Sequence, residues 1–252
     1  MSTKSRALCI GINYTGSSSA LQGCINDAKN LSALLNASGA VASANIQLLC
    51  EATAAQIHEG LTNLAQKCKD DKLTYAFISY SGHGTQVADL NKDETDGKDE
   101  CICPSDFTKS GVITDDMLKD RIAQFPSWTT VCFLCDACHS GSMLDLNHTY
   151  VNSIDTVSGT NSLACKVVMI SGCRDNQTSA DAFDQSSSAY TGAMTSAMLK
   201  SLKNVFACRT DVIRLVAEMR KVLRAGGFSQ YPVLSTSFTL PRQFAFIPYT
   251  SA

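Results

Sequence analysis

Between Val131 and Gly141 the chain reads VCFLCDACHSG, a short run that carries three mutually exclusive chemistries. Cys135 and Cys138 have the C-x-x-C spacing of a redox pair. With His139 behind them they have the C-x-x-C-H spacing of a c-type haem attachment. Cys138 alone, following an apolar run, is placed to be presented as a nucleophile. A nucleophilic thiol needs a base to make the thiolate and N–H donors for the oxyanion that grows on the attacked carbonyl. The stretch YSGHG, residues 80–84, offers His83 as that base. Gly82 and Gly84 flank the histidine and Gly141 follows the cysteine, so a substrate backbone can come close. The N–H groups of Gly84 and Cys138 would then serve as the oxyanion hole.

The elements that must position these residues alternate along the chain. Apolar runs at 7–13 (ALCIGIN), 46–50, 73–81, 129–136, 166–172 and 232–238 read as six strands. Between them lie helical patterns. Ile25, Ala28, Leu31, Leu34 and Leu35 mark one helix at 24–37. Thr53 with Gln56 forms a capping box ahead of Ile57, Leu61, Leu64 and Cys68. Thr114 caps a helix to about Phe125, a further helix runs over about 189–203, and Thr210 caps the last, about 211–225. Near-continuous apolar strands alternating with amphipathic helices predict an α/β/α sandwich with a mostly parallel central sheet flanked by helices. Functional groups in such sheets gather beyond the carboxyl ends of strands. The third strand ends in YSGHG and the fourth in CDACHSG, so His83 and Cys138 are expected at one edge. The polar stretch 147–165 is the plausible hinge between a larger part, 1–146, and a smaller one, 166–252.

Composition narrows the chemistry. At 252 residues and 44% hydrophobic the chain can bury a large core. A formal charge of -2 provides no global field to hold nucleic acid or an anionic membrane. The twelve cysteines sit mostly inside apolar runs, which predicts buried thiols; Cys9, Cys132, Cys165 and Cys208 are read as core, and His58 and His148 as solvated. The start, MSTKSRALCIGIN, has no apolar run long enough for a signal peptide, so a cytoplasmic location is expected, which argues against haem attachment. The redox reading fails on geometry: Cys135 should face the core, opposite to Asp136.

Four motifs in order, GCINDAKN (23–30), YSGHG, DACHSG and ISGCRDNQTSADA (170–182), resemble those of a type I metacaspase, and the resemblance extends over nearly the whole chain. His83 precedes Cys138 by 55 positions, in keeping with a caspase-like order. The resemblance implies a caspase-like fold, a monomer, a Cys138/His83 dyad, stimulation by calcium, and protein or peptide substrates cut after Arg or Lys. It sets Cys24, Asp27, Ser81 and Asp136 around the primary specificity pocket. Ser81 and Asp136 each stand two residues before a dyad member, so they share its strand face. Two carboxylates there suit a guanidinium or ammonium and repel an acidic side chain. The resemblance also implies Asp99, Asp115, Asp116 and Asp145 as Ca2+ ligands, with Asp93 and Asp96 open as alternatives to Asp99. The segment 88–100 holds six acids against two lysines, but no register in it gives the glycine of an EF-hand loop. Asp115 and Asp116 also stand at a helix start, where acids favour the helix dipole.

The sequence departs from the family pattern in two places. It begins almost at its first strand, without the Pro- or Gln-rich extension common in the family. The stretch 147–165 contains no Lys or Arg, so self-cleavage there is not expected; Lys166 is the nearest basic residue. The alternative function from another class is a calcium-responsive adaptor that keeps the fold without proteolysis.

Overall fold

The structure, a computed structural model, describes residues 4–89, 97–138, 140, 143–151, 154–157, 163–172, 181–184, 189–205 and 210–248. In chain order the first half contains β1 (Ser5–Gly11), α1 (Cys24–Ala37), β2 (Ile46–Cys50), α2 (Ala54–Asp70), β3 (Tyr75–Ser81), β4 (Gly84–Ala88) and β5 (Lys98–Ile102). Then come α3 (Phe107–Ser110), β6 (Ile113–Thr114), α4 (Asp115–Ile122) and β7 (Thr130–Asp136). The second half contains β8 (His148–Val151), β9 (Ile154–Val157), β10 (Lys166–Ser171), β11 (Asp181–Asp184), β12 (Ala189–Gly192), α5 (Ala193–Val205), α6 (Val212–Ala225) and β13 (Val233–Thr236).

Eight strands form one sheet in the order β2-β1-β3-β7-β10-β13-β8-β9. The first five are mutually parallel; β13, β8 and β9 join antiparallel. The pleat divides the core in two. On one face Ile10, Ile78 and Phe133 meet Ile57 and Leu61 of α2 and Leu118 and Ile122 of α4. On the other, Cys9, Phe77, Cys132 and Leu134 meet Leu31 and Leu35 of α1, Met194 and Met198 of α5, and Leu215 and Met219 of α6. This is the expected α/β/α sandwich. No helix among the described residues is long and apolar enough to cross a membrane.

Local signals set the helix starts. The Thr53 hydroxyl accepts from Gln56 N–H while the Gln56 side chain accepts from Thr53 N–H, closing the capping box. Thr114 accepts from Met117 N–H at the start of α4. The cap of α6 is Asp211 rather than Thr210: its carboxylate accepts from the N–H groups of Ile213 and Arg214, a stronger acceptor at a dipole's positive end.

Further features differ from the sequence reading. The acidic region contributes β5 to a small antiparallel sheet, β4-β5-β6. The stretch read as a hinge supplies β8 and β9 to the main sheet, so the two parts share it. Residues 189–192, read as the start of a helix, form β12, paired with β11. Cys9, Cys132 and Cys165 are buried, and burial pushes the Cys9 and Cys165 thiols up to about 11, keeping them inert at neutral pH. His58 and His148 are half-buried: Arg121 Nε lies 3.4 Å from His58 Nδ1, and His148 Nδ1 lies 3.0 Å from Asp155. Asp93, Asp96, His139, Gly141, Cys208 and residues 173–180 of the ISGCRDNQTSADA motif lie outside the described residues.

Candidate active site

Strands β3 and β7 run parallel and adjacent, with Ser81 opposite Asp136 at their carboxyl ends. His83 and Cys138 therefore emerge two residues beyond the same rung. Gly82 N–H donates to the Asp136 carbonyl (3.3 Å), holding the two exits together. A side chain at Gly84 would run into the Cys138 carbonyl and stand 3.1 Å from the Ala137 Cβ, so only glycine lets β4 lie against the cysteine backbone. Cys103 N–H donates to the His83 carbonyl (3.0 Å). By the alternation of an antiparallel ladder, Gly84, opposite Ile102, then directs its own N–H away from β5. The His83 and Cys138 side chains are both half-buried. Cys135 points the other way, buried with its Sγ 3.8 Å from Met143 Sδ, which removes the redox pairing.

Residue 83 is held at both its ring and its backbone. His83 Nε2 lies 2.8 Å from the Ser19 carbonyl. A carbonyl only accepts, so Nε2 carries the hydrogen and Nδ1 keeps the lone pair of the neutral ring. The Tyr14 ring lies 4.7 Å from the imidazole, and its hydroxyl accepts from His83 N–H (2.9 Å) and donates to the Cys103 carbonyl (2.6 Å). Tyr80 Oη donates to the His83 carbonyl (2.8 Å). Burial pushes the Tyr14 hydroxyl far above its ordinary range, so it stays a neutral donor.

Beside the ends of β3 and β7 two carboxylates converge. Asp27, in the first turn of α1, is fully buried; its Oδ2 accepts from the Ser81 hydroxyl (2.6 Å), and its two oxygens take the Gly192 N–H at 3.0 and 2.9 Å. Asp136 Oδ2 accepts from both the N–H and the hydroxyl of Thr195, each at 2.9 Å. A Cβ on Gly192 would collide with Asp136 Oδ2 and come within 2.7 Å of Asp27 Oδ2, so both acids close on one glycine. Of the four residues expected around a specificity pocket, Asp27, Ser81 and Asp136 come together. Cys24 is buried one turn earlier on α1, among the groups that act on Tyr14. Sequence reasoning missed Gly192 and Thr195: neither lies in a motif, and only the packing of α5 against the sheet brings them here.

The second acidic group gathers around Asp115. Asp115 is buried; Oδ1 accepts from Asp116 N–H (2.9 Å), and Oδ2 has no hydrogen-bond partner. Burial, and then the charges of Asp145, Glu100 and Asp116, push its carboxyl up to about 7. Asp99, on β5 opposite Val87, is buried and acts with Asp115 on the Cys101 thiol. Asp145 pairs with Lys119 Nζ at 3.1 Å. Glu100, not anticipated from sequence, is buried and accepts from Gln86 (3.0 Å). Hard oxygens with one buried and unpartnered suit a hard divalent cation. Among the described residues no three acids, histidines or cysteines yet stand as ligands around one point, so the side chains would have to turn inward.

Raised above its unfolded value, the Asp115 carboxyl favours the folded state fully below about pH 4 and loses that contribution as pH rises through about 7. With chelator present, Asp115→Asn should therefore melt higher than the parent at pH 8 by about 2–4 °C, with the gap closing toward pH 5. Thermal scans at the two values check it; a gap that widens toward pH 5 contradicts the burial argument.

Comparison with known proteins gives a consistent picture. Residues 4–244 match the family model described as Caspase domain. Metacaspase-2 of Trypanosoma brucei brucei is 38% identical, over 92% of this chain and 73% of the relative. Metacaspase-1 of Yarrowia lipolytica is 33% identical, over 98% of this chain and 64% of the relative. Protein GSU0716 from Geobacter sulfurreducens superposes with a TM-score of 0.69 at 25% identity, covering 96% of each chain. Caspase-1 from Spodoptera frugiperda, at 15% identity, shares the fold with a TM-score of 0.58 over the whole of this chain and 92% of its own.

Proposed function

The chain belongs to the caspase-domain family of cysteine peptidases, among the metacaspases, and from that premise we propose a calcium-dependent endopeptidase that cuts after Arg or Lys with a Cys138/His83 dyad. The observation that carries the specificity is the pair of buried carboxylates, Asp27 and Asp136, closing on Gly192 beside the strand ends that bear the dyad. A guanidinium binds such a pair with two forked N–H donors, an ammonium as a point charge. An acidic side chain would add a third negative charge beside the same pair.

In this reading His83 Nδ1 takes the Cys138 thiol proton and the thiolate attacks the carbonyl carbon of the scissile bond. The N–H groups of Gly84 and Cys138 hold the oxyanion, and His83 returns the proton to the leaving amine. Water then hydrolyses the thioester with the same imidazole as base. Asp115, Asp116, Asp145 and Asp99 are the residues to hold calcium. When bound, the ion neutralises their mutual repulsion. Asp145 and its neighbour Leu144 have left-handed backbone (φ 44° and 76°), seven and six positions beyond Cys138 in the chain. As part of the same proposal the protein works as a cytosolic monomer on protein or peptide substrates.

The test is a set of fluorogenic peptides ending in Arg, Lys or Asp, assayed with calcium and with chelator. Basic peptides should be cut at least about 100-fold faster than the acidic one, and chelator should suppress the rate. Equal rates on Asp peptides, or indifference to chelator, would overturn the specificity or the calcium dependence respectively. A denaturing gel of the same incubations should show the chain uncut between 147 and 165, since Lys166 lies in a strand flanked on both sides; two fragments from that stretch would contradict this.

A further inference from the structure

A continuous set of contacts runs from the end of an outer strand to the catalytic imidazole. Glu51 follows β2, the strand at one edge of the sheet. Its N–H donates to the Gly11 carbonyl (3.1 Å). Its carboxylate accepts from Tyr14 N–H at 3.0 Å, from the Thr15 hydroxyl at 2.8 Å and from Thr15 N–H at 3.4 Å. The Tyr14 carbonyl then accepts from Ser17 through both N–H (3.1 Å) and hydroxyl (2.7 Å). Ser19 N–H donates to that Ser17 oxygen at 3.1 Å, and the Ser19 carbonyl takes His83 Nε2. Both ends of the clamp hold left-handed backbone, Tyr14 at φ 53° and Glu51 at φ 52°, which residues with a Cβ keep only where the surroundings enforce it. The Tyr14 ring is buried in the core, but the groups that hold its backbone from outside are not core residues: Glu51 is half-buried and Thr15 exposed.

We propose that Glu51 is a positioning residue for the dyad: its carboxylate pins the loop 14–19 so that the Ser19 carbonyl fixes His83 in the Nε2-protonated form and leaves Nδ1 as the basic nitrogen. The inference rests on His83 being the base of the proposed peptidase. A carboxylate suits the role because it accepts three donors at once, all from two adjacent residues of the loop, Tyr14 and Thr15.

The chain has four histidines, so side-chain 15N spectra of the labelled full chain are simple, and His83→Gln identifies the His83 signals. The parent should show His83 with the hydrogen on Nε2. Glu51→Ala should show mixed tautomers, a shifted pH profile for alkylation of Cys138 by iodoacetamide, and kcat on an Arg peptide lowered about 10-fold with KM unchanged. Glu51→Gln, which still accepts through its amide oxygen, should recover most of the rate. Thr15→Val, on the exposed loop, should shift the tautomer in the same direction by less. Retention of the parent tautomer and alkylation profile in Glu51→Ala would overturn the proposal, as would a loss in Glu51→Gln and Thr15→Val that follows melting temperature alone. The spectra need no turnover, so a failure to cut basic peptides would count against the proposed activity without touching this result.

Discussion

If the proposed dyad and specificity hold, Cys138→Ala should lose cleavage of basic peptides by about 10⁴-fold or more in kcat/KM, and His83→Ala should lose a similar amount. In the proposed mechanism thiol and imidazole act as one unit: without the base little thiolate forms, and without the sulfur the base has nothing to deprotonate. The double substitution should therefore be no worse than either alone. Folding should survive, because both side chains stand half-buried beyond the last paired residues of β3 and β7. The Tyr14 and Tyr80 hydrogen bonds to residue 83 go to its backbone and outlast the loss of the ring, although the packing of Tyr14 on the imidazole is lost. Kinetics on the three variants, with circular dichroism as a control, decide it. Cleavage that persists in Cys138→Ala would mean another nucleophile, and strictly additive losses would mean that the two residues do not cooperate.

The second large effect is at Asp136. Asp136→Asn keeps an oxygen able to accept from Thr195 but removes the charge, so kcat/KM on Arg peptides should fall about 100- to 1,000-fold, the scale of a desolvated charge pair left without its partner. Stability should change little. Asp136→Ala strips the Thr195 N–H and hydroxyl of their acceptor as well, adding a folding cost of about 1–3 kcal/mol. Gly192→Ala should imitate the activity loss by a different route, since its methyl has to displace both carboxylates. Unchanged turnover in Asp136→Asn would take Asp136 out of the pocket.

What the sequence made legible were features with a local cause. Helix α1 has the expected limits, 24 to 37, because Ile25, Ala28, Leu31 and Leu35 repeat at helical spacing. The Thr53 box needs only four consecutive residues. The strands carrying YSGHG and DACHSG were visible as apolar runs, and their neighbouring exits followed from the rule for parallel sheets. Short and polar strands were not legible. β6 has two residues, β9 is exposed throughout, and β5 sits in the most acidic stretch of the chain, so none has an apolar alternation to read. Asp211 and Thr210 are adjacent and both capable of capping, and only geometry separates them. Gly192, Thr195, Glu100 and Glu51 belong to the same class: each acts through a partner distant in the chain, and nothing in its own neighbourhood announces that partner.

The order of the main sheet has a topological consequence. Strands β8 and β9 precede β10 in the chain, yet they lie outside β13, which comes later. A single scission between Val157 and Lys166 would therefore produce two polypeptides that interlock like clasped fingers. The N-terminal piece would grip both sides of the C-terminal one, through β7 against β10 and through β8 against β13. Severed or whole, the molecule would migrate as one particle under native conditions, and only a denaturant would separate the halves.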